Sequence, residues 1–152
     1  KKGKQMELPL SRFAAQKSLV PDDLFGFECK GSYRFFAVEI DRNTESIERR
    51  KIDQNTFGKK LVCYIDAMKS RDYKEVWGIP NMLALTVTTN ATHMQNMMAY
   101  LQNLDPKLSE RFLFKALPTF GSNWRVPPIL TDILEPWQRA DGTTFDITKS
   151  AP

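Results

Sequence analysis

The sequence predicts an α/β domain with a mixed sheet of four or five strands flanked by helices. Three observations carry that expectation. Two alternating segments within residues 22–41 flank a short Gly-containing turn, residues 56–70 and 90–104 have helical apolar spacing, and a short apolar run follows each helical segment. Strands that alternate with helices build one sheet with helices packed on it. At 152 residues the chain has the length of one domain and can bury a core without staples. Its 41% hydrophobic and 26% charged residues are those of a folded chain. The 7 Gly and 9 Pro follow no repeat, which excludes collagen-like and low-complexity classes.

The elements follow in order. Residues 1–18 have little periodicity and read as a basic leader or linker, with the domain at 19–145 and a tail at 146–152. Val20-Pro21 biases the chain towards extended geometry, because the residue before proline avoids the helical region. Asp23, Phe25 and Phe27 alternate with Asp22, Leu24 and Gly26 as a short strand ending in the turn Cys29-Lys30-Gly31-Ser32. Residues 33–41 form the clearest strand, and the two make an antiparallel hairpin. From 56 to 70, Phe57, Leu61, Tyr64, Ile65 and Met68 fall on one helical stripe. Residues 82–88 read as a strand covered on both faces. Residues 90–104 return to helical spacing through Met94, Met97, Met98, Leu101 and Leu104, and 111–117 reads as another strand. The tail, with Pro127-Pro128, Pro136 and two tryptophans, reads as irregular covering structure.

Charge and cysteine usage narrow the classes. Lys1, Lys2, Lys4, Arg12 and Lys17 stand against Glu7 in the first twenty residues, so the net charge of +4 sits there and the remaining chain sums to zero. A basic arm on a neutral body is either a solvated leader or a phosphate contact. Cys29 and Cys63 are too few and too far apart for a metal knuckle or disulfide framework, which fits free thiols in a reducing cytoplasm. No run approaches a membrane span, and no leader with a cleavage site is present. The chain lacks an initiator Met, as expected of a fragment, a processed product or the ordered part of something longer.

The chemistry concentrates at the end of the second strand. Side chains alternate faces, so Phe36, Val38 and Ile40 share one side and Phe35, Ala37, Glu39 and Asp41 the other. Two carboxylates side by side repel one another, and a divalent cation such as Mg²⁺ or Mn²⁺ would relieve them. The alternative is a strand that ends at Glu39 with both acids wet. A hairpin folds Asp22 towards Glu39, so three acids are expected to converge at one sheet edge.

Val20-Pro21-Asp22 and, seventeen residues after Asp22, Glu39-Ile40-Asp41 resemble the Pro-Asp…(Asp/Glu)-x-Lys arrangement of restriction-endonuclease-like nucleases. More narrowly, Pro21-Asp22-Asp23-Leu24-Phe25, Phe36-Ala37-Val38-Glu39-Ile40-Asp41-Arg42-Asn43-Thr44-Glu45 and Lys60-Leu61-Val62-Cys63-Tyr64 resemble the replication-relaxation proteins of bacterial plasmids, whose core is similar to MobC-type relaxases. The resemblance covers residues 20–140. It implies a restriction-endonuclease-like fold, plasmid-origin DNA as partner, other replication or transfer proteins as further partners, and Mg²⁺- or Mn²⁺-dependent cleavage or nicking. In two respects this chain departs from the pattern. Asp41 stands where the family carries a lysine, and the winged helix that normally precedes this core has no room in the twenty residues before it.

A lysine on the helix can take the missing role. At about 100° per residue, with Phe57 at zero, the stripe lies between about 340° and 80°. Lys60 lies at about 300°, on its border, whereas Lys59 lies at about 200° and faces water. Lys60 can run its stem along the core edge towards the sheet. On this reading Asp22 and Glu39, with the Ile40 carbonyl, hold the metal, and Lys60 orients the attacking water or offsets phosphoryl charge. Asp41 completes the metal shell or holds a metal water. Glu45 either favours a helix N-terminus, with Thr44 as cap, or serves a second metal.

Other residues read as structural. His93 reads as a surface or cap residue, and a lone histidine without a cysteine cluster excludes structural zinc. No nucleophile elbow or Gly-rich phosphate loop is present. The six methionines read as core filler. Tyr64 and Tyr100 lie on apolar stripes. Trp77, Trp124 and Trp137 read as packing residues, with Trp124-Arg125 able to stack on a base. Three functions therefore compete: a metal-dependent DNA-cleaving domain, an inactive DNA-binding or replication-accessory domain on the same fold, and a module that docks replication or transfer proteins.

Overall fold

The computed structural model describes residues 8–9, 18–41, 56–117 and 133–149. It is an α/β structure whose main sheet has six strands, in the order β3-β4-β5-β6-β7-β8. In chain order the elements are β1 (Leu8–Pro9), β2 (Ser18–Leu19), β3 (Asp23–Cys29), β4 (Ser32–Asp41), α1 (Thr56–Ser70), α2 (Tyr73–Val76), β5 (Leu83–Thr88), α3 (Ala91–Leu104), α4 (Pro106–Ser109), β6 (Phe112–Ala116), β7 (Trp137–Arg139) and β8 (Thr144–Phe145). No helix of the described residues is long and apolar enough to cross a membrane.

The hairpin forms as the sequence predicts. Lys30 and Gly31 take positive φ values of 51° and 80°, which gives the two-residue turn the hand that matches strand twist. That turn closes on the Cys29–Ser32 pair and sets the register through Asp23–Val38. β4, β5 and β6 then run parallel, with α1 and α3 in the connections, and β7 and β8 return antiparallel. Asn81 extends the β4–β5 pairing with its side chain: Oδ1 accepts from the Phe35 N–H at 3.0 Å and Nδ2 donates to the Tyr33 carbonyl at 2.7 Å.

Both faces of the sheet are covered. Ala37, Ala84, Phe112 and Phe114 pack with Leu61, Tyr64 and Met68 of α1 and with the methionines of α3. Phe36, Leu85 and Leu113 pack on the other face with Trp137 and Ile147. Two findings redraw the expected outline. The sheet has six strands rather than four or five, because the proline-containing stretch expected to be irregular covering structure supplies β7 and β8, which are three and two residues long and too short to show a period of two. Leu8, within the stretch read as a leader, is fully buried beside Leu19 in the helix-side core, as is Ile147, within the stretch read as a tail, on the other face.

Candidate functional site

Glu39 lies near the C-terminal end of β4 on the helix-covered face, paired in register with buried Thr86. Only 3% of it is exposed. Lys60 and Tyr64, one helical turn apart on α1, present two donors to the same carboxylate. The Tyr64 hydroxyl donates to Oε1 at 2.6 Å, and the Lys60 ammonium pairs with Oε2. Lys60 is at the stripe edge with a partly exposed side chain, while Lys59 faces solvent, as the helical angles predict.

Burial dominates the electrostatics. Removal from water pushes the Glu39 carboxyl from 4.5 up to about 7, despite the hydrogen bonds from Lys60 and Tyr64 and the Lys60 charge; the negative charge of Asp22 adds to the rise. Burial first, then the Glu39 charge, raises the Tyr64 phenol well above its ordinary value, so it stays a donor. Tyr64 is held further by an edge-to-face contact with Phe112, centroids 6.2 Å apart.

Asp22 joins this group from the residue before β3. Its N–H donates to the Val38 carbonyl at 2.9 Å and its Oδ2 accepts from the Ile40 N–H at 2.8 Å, so the two bonds bracket Glu39 along β4. The Asp22 side is exposed, which gives the buried Glu39 a neighbour open to solvent. Asp41, two residues on, is turned to α3: its Oδ2 lies 2.7 Å from His93 Nε2.

The structure thus brings Asp22, Glu39 and Lys60 together and gives Asp41 a different partner. Among the described residues no three His, Cys, Asp or Glu side chains form a group that could share one ion. Glu45 and Thr44, and likewise Trp124 and Arg125, lie outside the described residues. His93, expected as a surface or cap residue, lies in the capped first turn of α3 but is buried: its backbone N–H donates to Asn90 Oδ1 at 2.8 Å and its ring meets Asp41. Tyr64 was legible as a core residue but not as a donor; its signal is its position beside Lys60 on the helical wheel.

The divalent ion that the resemblance implies meets a suitable donor type here. Carboxylates of Asp22 and Glu39 are hard oxygen donors, and the raised Glu39 pKa means that Lys60 leaves part of the burial cost uncompensated. Added positive charge at Glu39 and Asp22 would therefore be favourable. Set against family models, curated proteins and solved structures, the chain matches none of them.

Proposed function

We propose that this chain is a DNA-processing domain of a plasmid replication or relaxation protein, with a restriction-endonuclease-like core that cleaves or nicks a phosphodiester with Mg²⁺ or Mn²⁺. The observation that carries the reading is the contact between Lys60 of α1 and Glu39 of β4, beside Asp22. A cation arrives from the helix where the strand carries Asp41 in place of lysine. The antiparallel hairpin followed by a helix and a parallel strand supports the same core.

Each side chain has a definite task. Asp22 and Glu39 would hold the ion, whose contribution when bound is to lower the pKa of a water towards neutrality. Tyr64 fixes one Glu39 oxygen, leaving the carboxylate a single orientation. Lys60 orients the water and offsets the charge that grows on the phosphoryl oxygens. The Asp41–His93 contact braces the end of β4 against α3.

A plasmid-nicking assay on Lys60→Ala and Lys59→Ala tests this. Both variants lose one positive charge, so general attraction to DNA changes equally. Lys60→Ala should slow cleavage by about 10²–10³, the scale for one lost electrostatic contact, while Lys59→Ala changes little. Equal rates for the two would remove Lys60 from the mechanism. A second reading, an inactive DNA-binding or replication-accessory domain, is favoured by the fact that Glu39 and Asp41 already have protein partners. It becomes the better one if Mg²⁺ and Mn²⁺ titrations of wild type and Glu39→Ala show the same heat and no cleavage occurs with either ion.

A further inference from the structure

At the other end of the sheet from Glu39, a cavity of about 560 Å³ opens where β4 and β5 begin and where Arg111 precedes β6. With about 3.3 Å per residue along β4, Tyr33 at its rim and Glu39 stand about 20 Å apart. Lys30, Arg34, Arg71, Lys74 and Arg111 line the cavity, and among the described residues no carboxylate does. Arg34 is committed to the fold, donating to the Lys149 carbonyl at 2.6 Å and lying over the Phe145 ring. Among the described residues the other four make no ion pair. Arg71 even takes φ +61°, the left-handed conformation that usually falls to glycine after a helix.

Four cations from the β3–β4 turn, the end of α1, α2 and the approach to β6 repel one another across this space, and a polyanion removes that cost. The volume suits a ligand of nucleotide size. Tyr33, 53% exposed at the rim, offers an aromatic face beside the charges. Cations that follow a phosphate backbone with an aromatic platform for bases are the recognition chemistry of single strands, and an intact duplex does not enter a pocket of this size. We infer that this cavity is a second, non-catalytic site that binds single-stranded nucleic acid, with phosphates on Lys30, Arg71, Lys74 and Arg111 and a base on Tyr33.

The inference shares with the proposed function only the class of ligand and needs no cleavage, so the two are tested apart. The probe is a fluorescein-labelled twelve-residue oligothymidylate, titrated with the full chain in EDTA and followed by anisotropy over a range of salt. Lys30→Glu/Lys74→Glu, both at exposed positions, should weaken binding at least tenfold, and Arg111→Glu should do so independently. Loss of two phosphate contacts should flatten the log–log salt slope by about 1.4, at about 0.7 per contact for single strands. Tyr33→Ala should cost about fivefold or more through lost stacking. Lys59→Glu, outside the cavity, should stay within twofold of wild type, and thermal melts confirm that each variant is folded. Equal weakening by Lys59→Glu, unchanged binding in both groove variants, or equal affinity for a duplex of the same length would each overturn the site. Cleavage lost in Lys60→Ala with oligothymidylate binding retained would leave it standing.

Discussion

Replacing Glu39 by glutamine should strip a pH dependence from the stability of this protein. The carboxyl moves from 4.5 to about 7 on folding because burial outweighs the help of Lys60 and Tyr64. A carboxyl with a higher folded than unfolded pKa holds its proton more tightly in the native state. Its contribution is therefore complete below about pH 4.5, declines as the pH rises, and is gone above about pH 7. The interval from 4.5 to about 7, at 1.36 kcal/mol per unit, sets the scale at about 3 kcal/mol. Glu39→Gln keeps an acceptor for Tyr64 but has no proton to exchange. The wild-type advantage over Glu39→Gln, measured by urea unfolding at intervals of pH, should thus shrink by about 3 kcal/mol between pH 4.5 and 8. Asp105, Asp141 and Asp146, whose carboxyls are held below their ordinary values by local hydrogen bonds, cancel in this difference because both proteins carry them. A difference that stays flat, or grows with pH, would refute the reasoning: the Lys60 pair, not burial, would then govern Glu39.

Three further outcomes follow from the packing. Tyr64→Phe removes a donor to an ionised acid and should cost about 1.5–3 kcal/mol above pH 7, with the Glu39 carboxyl carbon titrating at higher pH than in wild type by NMR. Leu19→Ala should cost about 2–5 kcal/mol in urea unfolding, because the β1–β2 ribbon closes the core rather than trailing from it; a loss below about 0.5 kcal/mol would return this segment to the surface class. A Cβ at Gly26 would stand 2.8 Å from Phe35 Cε1, so Gly26→Ala should destabilise by about 1–3 kcal/mol. Most of that loss should vanish in a Phe35→Leu background, and a double-mutant cycle measures the difference.

What the sequence disclosed was what depends on neighbours along the chain. The hairpin turn at Lys30-Gly31, the two-residue period of β4 and the helical stripe of α1 are local, and from them came both the face of Glu39 and the inward placement of Lys60. Two contacts between distant elements were silent. His93 meets Asp41 across 52 positions, and nothing in a lone histidine at a helix start announces it. Tyr64 on an apolar stripe looks like any core aromatic until the acid above it is known. The basic cavity escaped for a similar reason: Lys30, Arg71, Lys74 and Arg111 come from separate segments of a body whose charges sum to zero, and only the fold gathers them.

The contact between Asp41 and His93 also answers a question of registry. α3 offers the sheet Met94, Met97 and Met98, pliant side chains that fill space in several arrangements and so fix a helix's place along its axis poorly. In its first turn the Asn90 cap fixes where the helix starts, and the directional contact from the His93 ring to Asp41 gives that helix an address on β4. Glu39, two residues back on the same strand and face, gives α1 its own through Lys60 and Tyr64. One stretch of strand thereby indexes both helices. In a His93→Ala chain α3 would keep its apolar face buried and lose its address, drifting between near-equivalent methionine packings while α1 stayed in place.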